Sequence, residues 1–408
     1  MQQMKYLQIH KLLSNFAQEL VGAFIPLILY QETGNLVLAI SYYILQRIVT
    51  VICDLIFRKK FQSKPQLYLL LRLIPMLLYY IFILLIEVNV WVACIGIMIF
   101  NGISESFKAI PTDTVYNYNT LNAGSNTLGF TKVIERVGLV VAQVMGALFL
   151  DELSKTLLII VSLSIYLIST LPLFISFIKL RGSKSFNVDG ISNAQAHFAK
   201  NEEKRKKGQN VTKKTFTLYV ISFMLFCSCD LNTSLFGLFL YVKVNKYSIV
   251  GILSIIYYAV QIPMNYVVGK MDQKKDILPY VAASCIVQGL ATLAIGIMMF
   301  TPDFNNTYII ISMILFAIMG AAYPFVTIFY FDRMLLKSKI LGKSNEMIVA
   351  RQLSGMTAQA LSAVPGLFGG FIAMFIYMGV TFAIGGATLP RVEEKTRDYL
   401  VDYLQNNN

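Results

Sequence analysis

Apolar residues run along this chain in blocks of about twenty, separated by short polar connectors. The blocks fall near 12–31, 35–57, 67–87, 89–112, 127–150 and 155–178, then 216–240, 246–268, 277–300, 306–331, 345–367 and 369–390. A helix crossing ~30 Å of hydrocarbon takes roughly 20 mainly apolar residues, so each block is long enough to span a bilayer once. Within hydrocarbon the backbone must satisfy its own hydrogen bonds, which favours helices over an open sheet. A β-barrel would show short alternating segments, and these runs are continuous. Pro365, Gly366, Gly369 and Gly370 break the last apolar stretch, so two final spans are expected there instead of one long helix. The pattern predicts an all-α membrane protein of twelve spans.

Composition agrees. The 408 residues are 56% hydrophobic and 14% charged, with a mean hydropathy of +0.62. A typical globular chain carries about 25% charged residues. The net charge of +13 does not point to nucleic acid, because the cations sit in the connectors. Placing the N-terminus inside puts about 26 Lys and Arg on the cytoplasmic side and about three (Lys155, Lys243, Lys246) outside. This asymmetry predicts a cell-membrane protein with both termini cytoplasmic. Met1 to Lys11 followed by a run containing Gln18 and Glu19 reads as the start of span 1, not as a cleaved signal.

One extended polar segment, 180–215, contains Glu202-Glu203-Lys204-Arg205-Lys206-Lys207-Gly208. It divides the chain into a six-span half at 1–179 and another at 216–390, followed by a tail at 391–408. The segment reads as a solvated linker, with anionic lipid headgroups as the sharper reading of its basic cluster. The halves show weak internal similarity. Gly102, Pro111 and Asp113 in and after span 4 parallel Gly320, Pro324 and Asp332 around span 10, and Arg136 of span 5 parallels Arg351 of span 11. Repeats of this kind are common in secondary transporters.

Two connectors carry related charge patterns, Asp54-Leu55-Ile56-Phe57-Arg58-Lys59 after span 2 and Gly269-Lys270-Met271-Asp272-Gln273-Lys274-Lys275 after span 8. With the six-plus-six topology, these resemble the major facilitator superfamily, whose loop between spans 2 and 3 reads Gly-x-x-x-Asp-Arg-x-Gly-Arg-Arg/Lys. The first connector keeps the Asp and the later two cations and lacks the first Arg and the Gly. The resemblance implies two pseudo-symmetric six-helix bundles around a central cavity lined mainly by spans 1, 4, 7 and 10. It also implies a cytoplasmic latch, which we assign to Asp54, Arg58 and Lys59, with Asp113 and Asp332 at the same edge.

A charge near the bilayer centre costs about 2.5–3.5 kcal/mol on insertion scales, so each retained one needs a reason. The candidates are Glu19 in span 1, Arg47 in span 2, Glu105 and Lys108 in span 4, and Lys132, Glu135 and Arg136 in span 5. Asp230 in span 7 and Arg351 in span 11 complete the proton-coupling or substrate-binding set. Depth at 1.5 Å per residue puts Glu105 ~24 Å from the outer end of span 4 and Glu135 ~12 Å from the inner end of span 5. Shared depth predicts an ion-pair network between spans 4 and 5, either a static lock or a proton relay. Glu19 has Arg47 as its nearest expected partner.

Other chemistries find little support. Five Cys (Cys53, Cys94, Cys227, Cys229, Cys285) lie in apolar stretches and read as packing residues. His10 and His197 are too few and too separated for a histidine metal site. Gly342-Lys343-Ser344 lacks the glycine five residues earlier that a phosphate loop needs, since position 337 is Lys. No cofactor is expected. The sequence thus predicts a monomeric secondary transporter working by alternating access. Proton-coupled export of an amphipathic or lipid-like molecule is the leading reading. Uptake of a small polar nutrient, or a membrane enzyme or sensor for lipid-linked substrates, are the alternatives.

Overall fold

The computed structural model describes residues 2–119, 125–181, 231–271, 278–301, 305–330 and 344–394. Among these, ten helices are long and apolar enough to cross a membrane. Span 7 is described from its Asn232–Val244 helix onward. Span 11, Ser344–Ala363, is the polar exception, carrying Glu346, Arg351, Gln352 and Gln359. The architecture is the expected all-α one of twelve helices. The 180–215 linker falls outside the described residues beyond Arg181, where the span 6 helix ends.

Several spans are interrupted where sequence dictates. Span 1 is two helices, Gln2–Gly22 and Ile25–Thr33, with Pro26 in the first turn of the second. Span 3 breaks between Pro65–Leu71 and Leu73–Leu84 at Arg72, three residues before Pro75. Proline cannot donate to the carbonyl four residues back, which loosens the turn that precedes it. Span 10, Asn306–Pro324, passes into a π-helical turn at Phe325–Tyr330. The expected turn before span 12 is present: within Gly366–Glu394, Gly370 has φ 62° and ψ −155°, a conformation that favours glycine.

Spans 2–4, 1–6 and 3–4 pack together in the first half, and spans 8–10 and 9–12 in the second. Between halves the most extensive contacts are span 5 with span 8 and span 2 with span 11. These two seams exchange under the relation that maps spans 1–6 onto 7–12. Gly102 and Gly320 occupy equivalent places. A Cβ at Gly102 would stand 2.7 Å from the Gln46 carbonyl of span 2, and one at Gly320 would stand 2.3 Å from the Tyr257 carbonyl of span 8. The parallel read between spans 4 and 10 is therefore a shared close approach of helix backbones, as small residues permit in membranes.

Successive spans run antiparallel, so one face holds the residue 2 and residue 394 ends and the other holds the 33–36, 87–90 and 152–155 turns. On this second face Lys155 bridges Glu32 at 2.7 Å and Glu87 at 3.1 Å, tying three turns together. Large apolar side chains such as Ile56, Leu171 and Ile297 are exposed around the outside, where lipid would cover them.

Candidate functional site

The polar groups at mid-depth form three sets. The first centres on Glu105. Its Oε1 accepts from Gln18 Nε2 at 2.5 Å and lies 3.6 Å from Lys108 Nζ and 3.7 Å from Arg72 Nη2. Gln18 Oε1 in turn accepts from Arg72 Nη2 at 2.8 Å and from Lys108 Nζ at 3.1 Å. Arg72 also donates from Nε to Ser104 Oγ at 3.0 Å, and its guanidinium faces the Tyr166 ring at 5.6 Å. It is only 1% exposed, so these contacts replace its water almost entirely. The cluster joins spans 1, 3, 4 and 6.

The second set lies on span 5. Glu135 pairs with Lys11 of span 1 at 2.6 Å. Arg136 instead projects across the seam, its guanidinium 5.1 Å from the Tyr258 ring of span 8 and 5.5 Å from the Tyr323 ring of span 10. The third set is Glu19, whose Oε2 accepts from Gln143 Nε2 of span 5 at 3.0 Å. Arg47, on the other flank, donates to Met356 Sδ of span 11 at 3.5 Å, while its buried Nε has no hydrogen-bond partner.

These positions correct several expectations. Among the described residues no ion pair joins span 4 to span 5. The two spans share depth but not a common face, because span 1 packs on span 5 and offers Gln18 and Lys11 to the two stripes separately. The Lys132 side chain lies outside the described set. Glu19 does not pair with Arg47; a neutral amide holds it. Asp54 is fully buried, with Oδ1 accepting from Ser106 Oγ at 2.5 Å within the first half. Arg58 and Lys59 are exposed, with no ion pair to a described residue. Asp230 and Asp332 lie outside the described residues.

The contacts that do bridge the halves are different ones. Near the face that holds the chain ends, Asp113 of span 4 and Arg351 of span 11 form a salt bridge, both under a third exposed. Beside it Phe61, Ile110, Ile348 and Val349 form a buried cluster from both halves. At the other face, Asp151 at the end of span 5 accepts from the backbone N–H groups of Tyr247 at 3.0 Å and Ser248 at 2.8 Å. There the Tyr247 hydroxyl also donates to Gln31 Oε1. Asp113 and Arg351 are thus brought together across the halves, apart from the Glu105 cluster.

Arg72, Gln143 and Met356 were not singled out by sequence. Arg72 had a visible signal, a lone cation within Leu69-Leu70-Leu71-Arg72-Leu73-Ile74, but its position near a span end disguised it as a topogenic charge. Of the five Cys, Cys53, Cys94 and Cys285 are unbridged and the last two are buried; Cys227 and Cys229 lie outside the described residues. His10 is buried and within hydrogen-bond distance of the Ser169 carbonyl at 2.8 Å.

No protein-family model matches the sequence, and no curated protein is similar to it. Solved structures match it over nearly the whole chain. A bacterial homologue of the iron transporter ferroportin, in an outward-facing state, is 13% identical with a TM-score of 0.67, over 96% of this chain and 99% of that one. The human organic anion transporter MFSD10 (TETRAN) is 12% identical with a TM-score of 0.58, over 95% and 99%. A structure of proton dependent oligopeptide transporters is 11% identical with a TM-score of 0.62, over 98% and 99%. The likeness is one of fold.

Proposed function

We propose that this chain, which has the twelve-helix fold of the major facilitator superfamily, is a secondary transporter working by alternating access. The observation that carries the reading is a set of buried charges in the first half, two of which, Arg47 and Arg136, reach across the seams to a second half that is tied to the first at both faces. A static membrane scaffold gains nothing from burying Glu19, Arg47, Arg72, Glu105, Lys108 and Arg136 at such cost. A transporter needs charge at that depth, and needs separable ties at each face. The solved structures of similar fold are transporters by their descriptions.

Proton coupling is part of the proposal, and it falls on Glu19. Glu105 is clasped by two cations and an amide, so losing its charge would strand Arg72 and Lys108 in a low-dielectric interior. Glu19 is held by one neutral amide and can gain or lose a proton while keeping that partner. We assign Glu105 to the static lock and Glu19 to the relay. The positive-inside bias supports cytoplasmic termini in a cell membrane. Export of an amphipathic compound by a monomer remains the working direction.

The test is transport by purified protein in liposomes under an imposed pH gradient, with Glu19→Gln and Glu105→Gln made singly. Glu19→Gln is expected to express normally, retain exchange and lose gradient-driven movement. Glu105→Gln is expected to lower the stability of the purified protein. Gradient-driven movement that survives in Glu19→Gln removes Glu19 from the relay. No gradient-dependent movement of any candidate compound by the wild type counts against the transporter reading.

A further inference from the structure

The mid-depth charges do not balance. Among the described residues, four cations (Arg47, Arg72, Lys108, Arg136) stand with two carboxylates (Glu19, Glu105), Glu135 being taken by Lys11. Arg72 and Lys108 are satisfied by Glu105 and Gln18, and Glu19 is committed to Gln143. That leaves Arg47 and Arg136 without a carboxylate partner among the described residues. Arg47 makes one contact to a thioether, and its Nε is buried without a partner. Arg136 rests on two tyrosine rings. Thioethers and ring faces are weak acceptors for a guanidinium that has left water.

Both arginines belong to the first half, and both make these soft contacts to the second half, on its two seams. Arg47 meets the second half at span 11 and Arg136 meets it at spans 8 and 10, so one arginine stands at each seam. We propose that Arg47 and Arg136 are the charge-recognition contacts for an organic anion with an aromatic or apolar body, bound between the halves. This rests on the transporter reading and deepens it. A carboxylate presents two acceptor oxygens that match the planar fork of a guanidinium. The rings of Tyr258 and Tyr323 offer a surface on which the apolar body can lie. Binding the anion exchanges soft contacts across the seams for hydrogen-bonded charge pairs, which gives the ligand a differential hold on one arrangement of the halves. A divalent cation is disfavoured at the same place by the surplus positive charge.

The experiment uses full-length protein and six matched probes: benzoate and 1-naphthoate, their amides, and the corresponding benzyl- and naphthylmethyl-ammonium ions. Thermal-shift titration in detergent is expected to show stabilisation by the carboxylates alone. Arg47→Gln and Arg136→Gln should each raise the half-saturating carboxylate concentration at least about tenfold. Arg136→Lys, which keeps the charge but loses the planar fork, should fall between and serves as the folded control. Stabilisation by amides or ammonium ions, carboxylate binding unchanged in both Gln variants, or no carboxylate binding at all overturns the inference. The same probes are then followed into liposomes under a pH gradient. Movement of the amide or ammonium probes only overturns the anion while leaving a transporter. Carboxylate binding with no gradient-dependent movement upholds the anion site and overturns the transporter reading.

Discussion

Replacing Arg72 with Met tests how the Glu105 cluster is held. The substitution keeps most of the side-chain volume but removes two hydrogen bonds from a charged donor, to Gln18 at 2.8 Å and Ser104 at 3.0 Å, and a 3.7 Å ion contact. Each such hydrogen bond contributes about 1.5–3 kcal/mol. At 1% exposure no water replaces them. Deleting one partner of a buried pair costs about 3–5 kcal/mol, because the remaining charge is stranded. Lys108 still reaches Glu105 at 3.6 Å and limits the damage, so about 3 kcal/mol is expected for Arg72→Met. Reversible SDS-induced unfolding in detergent micelles measures it. The decisive quantity is the double-mutant cycle with Glu105→Gln. If Arg72 acts chiefly on the Glu105–Gln18 unit, the double variant is less destabilised than the sum by at least about 1 kcal/mol. Additive effects would refute the proposed cluster, and a cost of Arg72→Met below about 1 kcal/mol would refute its burial.

Span 5 provides a matched pair of glycines against span 1. A Cβ at Gly146 would lie 2.4 Å from the Leu20 carbonyl, whereas one at Gly138 would lie 3.5 Å from the tip of Leu12. Gly146→Ala is therefore expected to destabilise by about 1–3 kcal/mol, and Gly138→Ala to change stability by no more than about 0.5 kcal/mol, both read by thermal unfolding. At the edge, Asp113→Asn removes a partly exposed bridge worth about 0–1 kcal/mol, enough to shift the ratio of states by up to about fivefold. Spin labels on spans 4 and 11 should report a wider population, and the reversed pair Asp113→Arg with Arg351→Asp should restore the original one. An unchanged distance distribution in Asp113→Asn removes the bridge from the conformational balance.

What the sequence revealed and what it hid divide on a physical line. Hydropathy and cation placement act over whole segments, so the spans could be read to within a few residues, and the turn at Gly370 was marked by its glycines. Depth along a helix follows from counting at about 1.5 Å per residue, which is why Glu19 could be matched in depth with Arg47, and Glu105 with Glu135. The angle around each helix axis and the order of helices in the bundle do not follow from counting. Glu105 and Glu135 therefore looked like partners, although Gln18 and Lys11 of span 1 take one each. Asp54 looked like an exposed connector charge because it precedes Arg58 and Lys59. One turn of helix is enough to bring it inward against Ser106 while they stay out.

Asp151 gives the second face an unusual kind of tie. Span 8 begins at Ser248, and its preceding residue, Tyr247, supplies no side-chain cap of its own. The carboxylate that receives the first free N–H groups comes from the other half of the molecule. A missing cap costs a helix about 0.5–2 kcal/mol. Parting the halves at this face therefore also leaves the first turn of span 8 to fray, so a movement between two bodies is tied to a local order–disorder change within one of them.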